Sequence, residues 1–175
     1  WHESSAEFAI SKPKDFSHTK QINPAVIHAV ASGSIGEELG FEVGDQLISI
    51  NGIKPRDLID YRFLIVEEEL NLEVLDAKGN LHNVQIEKEP DDGLGLTFTE
   101  ALFDGLNQCN NHCPFCFIDQ QPKGHRKSLY LKDDDYRLSF LYGSYLTLTN
   151  LKKSDWERIE SQRLSPLFVS VHATD

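Results

Sequence analysis

The chain has 175 residues and no methionine, so Trp1 is not an initiator residue. Both ends read as cut, and the sequence is taken as a fragment of a longer protein. Cysteine is nearly missing too: there are three, all between positions 109 and 116. Three thiols cannot pair off without leaving one over, which excludes a disulfide framework. Long apolar runs are lacking, none approaching the ~20 residues needed to cross a bilayer, and no secretory leader is visible. Positive charge is scarce, with 17 Lys and Arg against 28 Asp and Glu for a net charge of −11. That balance, with no clustered basic face, argues against nucleic acid as a partner. Free clustered thiols fit a reducing cytoplasm. What remains, 39% hydrophobic residues over 175 positions, is enough for two small folded units.

The cysteines stand in the run Cys109-Asn110-Asn111-His112-Cys113-Pro114-Phe115-Cys116-Phe117, a C-x3-C-x2-C cluster with an aromatic before the last thiol. Soft ligands packed on one short segment suit a metal or an iron–sulfur cluster. The run resembles the signature of radical S-adenosylmethionine (SAM) enzymes. That resemblance implies that Cys109, Cys113 and Cys116 hold three irons of a [4Fe-4S] cluster, with Phe115 at the motif's aromatic position. SAM would bind the fourth, open iron through its amino and carboxylate groups. The alternative is a structural zinc site recruiting His112 or His125 as fourth ligand.

Downstream, Tyr145-Leu146-Thr147-Leu148-Thr149 alternates like a strand. Ser154-Asp155-Trp156-Glu157 has the form of a capping box, and Trp156, Ile159 and Leu164 follow at helical spacing, with Pro166 as the stop. Leu167 to Ala173 is a second apolar run of strand length. This order predicts a right-handed parallel βαβ unit, the start of an α/β barrel or open parallel sheet. Period-2 alternation puts Leu146 and Leu148 opposite Tyr145, Thr147 and Thr149, and Leu167, Val169 and Val171 opposite Phe168, Ser170 and His172. The aliphatic faces would pack under outer helices and the polar faces line the interior. Barrel chemistry sits at the C-terminal strand ends. Thr147, Thr149, Asn150 and Ser170 are therefore candidate cofactor contacts, and His172 the candidate catalytic residue. A histidine there serves equally as an interior packing residue. The apolar segment 101–106 would open the cysteine loop from the same rim. The run Asp133–Asp135 reads as a solvated loop rather than a cation site.

The first half is separate. Val26–Val30 reads as a strand, Leu47–Ile50 as another ending in the tight-turn pair Asn51-Gly52, Asp57–Ile65 as a helix, and Leu70–Leu75 with Leu81–Ile86 as a hairpin. The run Gly33-Ser34, Gly40, Gly44-Asp45 and Ile50-Asn51-Gly52 closely resembles PDZ domains, departing at Gly36, where that family favours alanine. The resemblance implies peptide capture by strand addition beside a helix. The carboxylate loop expected before the first strand is missing, and Gly93-Leu94-Gly95-Leu96 stands at the far end instead. A permuted strand order would return it to the groove. The linker composition of Glu89-Pro90-Asp91-Asp92 favours a hinge. The domains expected are thus a lead-in over 1–22, a PDZ-like module over 23–92, a hinge over 93–98 and the truncated start of a radical-SAM barrel over 99–175.

PDZ followed by this cysteine run, together with Lys132–Phe140 and Val169–Thr174, resembles PDZ-bearing radical-SAM iron–sulfur proteins, Fe-S oxidoreductases that continue into a further C-terminal domain. The resemblance implies an enzyme in which a cluster fed by an external electron donor reductively cleaves SAM, starting radical chemistry on a small-molecule or protein substrate. The Gly-Gly-Glu stretch that contacts the SAM amine in better-known relatives is not evident. Gly143-Ser144-Tyr145 or Thr147–Asn150 would take its place. The alternative function is a scaffold whose PDZ-like module binds a peptide tail and whose cysteines hold structural zinc.

Overall fold

The computed structural model describes residues 20–171. They fall into two compact units that part after Gly105.

The first unit, residues 20–105, is built on a five-stranded antiparallel sheet. Its elements are β1 (Ala25–Val30), α1 (Ile35–Glu38), β2 (Gln46–Ile50), α2 (Leu58–Leu64), β3 (Glu69–Leu75), β4 (Leu81–Glu87) and β5 (Leu96–Phe98), in sheet order β4-β3-β2-β1-β5. Strand β3 alternates as a half-buried strand should, with Leu70, Leu72 and Val74 inward, and the hairpin keeps unbroken register from Glu69↔Glu87 to Leu75↔Leu81. Asn51 and Gly52, both at positive φ, close the turn after β2 and return Ile53 to pair with Ile50. Buried Asp57 caps α2, its carboxylate accepting the N–H groups of Ile59 and Asp60 at 3.0 Å. Ile27, Leu47, Ile50, Leu72, Leu94, Phe98 and Phe103 meet in one core, and Phe98 meets Tyr61 of α2 edge-to-face at 4.8 Å.

The segment 93–98, expected as a hinge, is part of this sheet. Leu94 is fully buried, and its carbonyl accepts the Gly36 N–H at 2.9 Å. The Gly95 carbonyl accepts the Ala31 N–H, and β5 then lies antiparallel beside β1. The permuted order is the one adopted, because Leu94 and Phe98 are core residues that a hinge would expose to water. Nor does the segment 101–106 form a strand leading to the cysteines. Leu102 pairs with Asp57, and the Phe103 N–H reaches the Arg56 carbonyl, so both stay with the first unit.

The second unit, described over residues 106–171, contains a 3₁₀ turn at Lys127–Tyr130, then α3 (Tyr136–Tyr142), β6 (Tyr145–Leu146), α4 (Lys153–Ser161) and β7 (Phe168–Val169). Strands β6 and β7 pair in parallel across α4, as the strand–helix–strand pattern predicts. They are two residues each, far shorter than the five- and seven-residue runs suggested. Leu148 takes φ +60°, which ends β6 early. Helix α4 starts one residue before the expected Ser154 cap: Lys152 is the cap, and Asp155, not Glu157, accepts its N–H at 2.8 Å. The buried face of α4 is polar, carrying Asp155 and Arg158, whereas Trp156 is largely exposed. Arg158 is held by Gln162 at 2.8 Å and by the Tyr136 hydroxyl at 3.1 Å. Val169 and Val171, expected under outer helices, are exposed among the described residues. No helix among those residues is long and apolar enough to cross a membrane.

Candidate functional site: the thiol loop and its anchors

The thiol loop grows from a short antiparallel stem. Gln108 pairs with Asp133, the Cys109 N–H donates to the Lys132 carbonyl at 2.8 Å, and the Asp134 N–H donates to the Asn107 carbonyl at 3.1 Å. Residues 109–131 are thereby closed into one loop. Within it the Cys116 N–H reaches the Cys113 carbonyl at 3.0 Å, and the Gln120 N–H reaches the Cys116 carbonyl at 3.2 Å, two successive backbone turns. All three thiols are free and half-buried, while Phe115 and Phe117 project into solvent.

Three buried or half-buried polar groups fix the stem. Asp135, expected in a solvated run, is 2% exposed. Its carboxylate caps α3, pairs with the Arg137 guanidinium at 2.7 and 2.8 Å, and accepts the Asn107 N–H at 2.9 Å. Asp134 is as deeply buried and accepts both the N–H and the hydroxyl of Thr147, at 2.6 and 2.7 Å. Only Asp133 of the three is exposed. Burial of two carboxylates is sustained because every bond they accept comes from a fixed donor. The Asn150 amide spans the stem, donating to the Gln108 carbonyl at 3.1 Å and the Asp134 carbonyl at 2.9 Å.

The end of β6 joins this frame. The Thr147 and Thr149 hydroxyls lie 2.8 Å apart, and the Asn111 amide, between the first two cysteines, donates to the Thr149 hydroxyl at 2.7 Å. Thr147, Thr149 and Asn150 are thus brought to the thiol loop. Ser170 lies on the β6–β7 ladder, its N–H donating to the Leu146 carbonyl at 2.9 Å. His172 falls outside the described residues. Three residues with a part in the site were given no role from sequence, Asn111, Asp119 and Lys132, and Asp134 was read only as part of a solvated run. Lys132 donates to the Asp119 carboxylate at 2.6 Å and to the Asn111 carbonyl at 3.2 Å. That bond holds the Asp119 carboxyl below its ordinary range and the Lys132 ammonium above its own.

Two facts bear on a cluster here. The donor set fits: three thiols on one loop are the soft ligands that iron–sulfur clusters use. Among the described residues, however, no three His, Cys, Asp or Glu side chains converge where a metal ion could sit. Ligand convergence in such sites is coupled to metal binding. Asn150 Oδ1 is buried with no hydrogen-bond partner. An unpaired buried acceptor costs on the order of 1–3 kcal/mol and marks a place where a ligand's donor fits.

A family model described as a radical SAM-like domain matches residues 88–175, which is 88 of the 175 positions. The chain belongs to this family. A PDZ domain model matches residues 26–76, so the radical SAM-like domain is joined in one chain to a PDZ domain. Among solved structures, the chain is similar to the PDZ domain of the SdrC-like protein from Listeria innocua, with 13% identity and a TM-score of 0.37 over 46% of this chain and 99% of that one. No curated protein matches.

Proposed function

We propose that the radical SAM-like unit holds a [4Fe-4S] cluster on Cys109, Cys113 and Cys116 and binds SAM beside it, as a radical SAM enzyme. One observation carries this reading: the three thiols share a loop that is tied, at Asn111 between the first two cysteines, to Thr149 just past the C-terminal end of a parallel strand. Parallel α/β units place their chemistry at that end. A [4Fe-4S] cluster held on Cys109, Cys113 and Cys116 and reduced by an external electron donor would supply the electron for reductive cleavage of SAM. The protein's part is to hold, orient and exclude water. Thr147 and Thr149 brace the loop, and the unpaired Asn150 Oδ1 offers an acceptor to the SAM ammonium. The parallel β6–α4–β7 unit begins a partial barrel. Metal analysis after anaerobic reconstitution tests the reading. Iron with sulfide is expected, with both lost in Cys113→Ala. A single zinc per chain, or full iron in Cys113→Ala, would sink it.

We also infer that the PDZ unit captures a peptide terminus. Strand β5 is the sheet's edge, follows directly on Gly93-Leu94-Gly95, and lies beside α2 through the Phe98–Tyr61 contact. An edge strand next to a helix is the geometry of strand addition. Amide shifts mapped with a library of carboxy-terminal peptides should cluster on β5 and α2. Shifts only with blocked carboxyl ends would count against carboxylate capture.

A further inference from the structure

We propose that Lys132 is the positioning residue of the thiol loop, gripping it at three points. Its backbone carbonyl accepts the N–H of Cys109, where the loop begins. Its ammonium then turns inward to the Asn111 carbonyl at 3.2 Å, between the first and second cysteines. The same ammonium ends on the Asp119 carboxylate at 2.6 Å, beyond the third. One residue therefore grips the thiol segment throughout, its backbone holding Cys109 and its side chain bracketing Cys113 and Cys116. Lysine suits this task because its ammonium has three donors on a flexible stem and can divide them between a carbonyl and a carboxylate.

The surroundings fit a charged role as well. The Lys132 side chain is 16% exposed and its partner Asp119 44% exposed, so the lysine stem is largely covered by the loop while the ion pair reaches solvent. The ammonium is hydrogen-bonded on either side of Cys113 and Cys116, to the Asn111 carbonyl and the Asp119 carboxylate. Arg137, by contrast, is committed to Asp135. Lys132 thus places a positive charge where thiolate ligands would stand. If the cluster reading holds, on which this second part rests, that charge favours the more negative reduced cluster and raises its midpoint potential.

Amide hydrogen exchange of the metal-free chain tests the grip directly. The reporters are the Cys116, Gln120 and Gln121 N–H groups, all hydrogen-bonded within the loop. In Lys132→Gln these amides should exchange about threefold to tenfold faster, the scale of a half-exposed charged hydrogen bond. Amides of α4 should not change, which shows the second unit still folded. Asp119→Asn should give the same acceleration, and the double variant no more than the larger single one, because both remove one interaction. Unchanged exchange in Lys132→Gln, or additive effects in the double variant, would overturn the grip. In reconstituted protein Lys132→Gln should bind less iron and shift the midpoint potential downward, and Lys132→Arg should restore the potential. If the parent chain takes up zinc and no iron while the exchange difference persists, the cluster reading falls and the grip stands. If it takes up iron and sulfide but Lys132→Gln matches it in exchange and potential, the grip falls and the cluster reading stands.

Discussion

Replacing Gly36 with alanine sets two opposing effects against each other, and the structure decides the sign. Gly36 sits in helix α1, at the position where PDZ sequences favour alanine. Propensity alone predicts a gain of about 0.5–1 kcal/mol, from reduced freedom of the unfolded chain. A four-residue helix would realise the low end of that range. Against this stands the space. A Cβ at residue 36 would lie 2.7 Å from the Leu94 carbonyl oxygen, 2.7 Å from Leu96 Cδ2 and 3.4 Å from Val30 Cγ1. The leucine methyl can swing away. The carbonyl cannot retreat cheaply, because it accepts the Gly36 N–H at 2.9 Å and belongs to a fully buried residue.

Overpacking of this kind costs about 1–3 kcal/mol, so after the gain of about 0.5 kcal/mol the net loss for Gly36→Ala is about 0.5–2.5 kcal/mol. For a domain of this size each kcal/mol moves the midpoint by about 4–8 °C, which gives a fall of about 2–20 °C in the first unit's transition. Differential scanning calorimetry of the parent and variant chains measures it, with far-UV circular dichroism following the same transition. Gly93→Ala is the control: a Cβ there meets only the Gly95 nitrogen at 4.0 Å, so its midpoint should stay level or rise slightly. A higher midpoint in Gly36→Ala would refute the reasoning, because it would mean that the Gly93–Leu96 loop is not seated on α1.

Two further outcomes follow from the cores. Leu72 is fully buried in the middle of β3, and Leu72→Ala should cost about 2–5 kcal/mol by denaturant titration, with the amides of α3 and α4 unaffected. Burial pushes the Tyr61 hydroxyl well above its ordinary 10.0 and raises Tyr136 in the same direction. A raised folded-state value means that the stabilisation is complete below 10.0 and is lost as pH climbs past it. Both units should therefore weaken above pH 10.0, and Tyr61→Phe should flatten that loss in the first unit. An unchanged alkaline slope in Tyr61→Phe would show that another group governs it.

Much of the first unit was legible because its signals are local. The pair Asn51-Gly52, the cap Asp57 and the alternation of Leu70, Leu72 and Val74 each specify their own element within a few residues. The segment 93–98 was misread for the same reason. Its composition is that of a linker, and only pairing with β1, some seventy positions earlier in the chain, makes Leu94 and Phe98 core residues. In the second unit the parallel pairing was legible from strand–helix–strand order. The length of β6 was not, since Leu148 turns to positive φ within an alternating run. Helix α4 misled more deeply. Hydrophobic periodicity points to Trp156 and Ile159, but the helix buries Arg158 and Asp155, and polar burial becomes favourable only when Gln162 and the Tyr136 hydroxyl are in place to satisfy the guanidinium.

The site divides along the same line. The thiols carry their chemistry in their spacing, because three soft ligands within eight residues need no distant partner to be recognised. What holds the loop is distant in sequence. Lys132 is 13 positions from Asp119 and 21 from Asn111, and Thr149 is 38 from Asn111. No periodicity links residues at such separations. Charge alone made Asp133–Asp135 look solvated, yet Asp134 and Asp135 are buried because Thr147 and Arg137 arrive to donate to them. A carboxylate's burial is a property of its donors and not of its neighbours in sequence. Motif spacing therefore singles out the thiols of this loop, while the polar frame that sets their positions emerges only when the chain closes on itself.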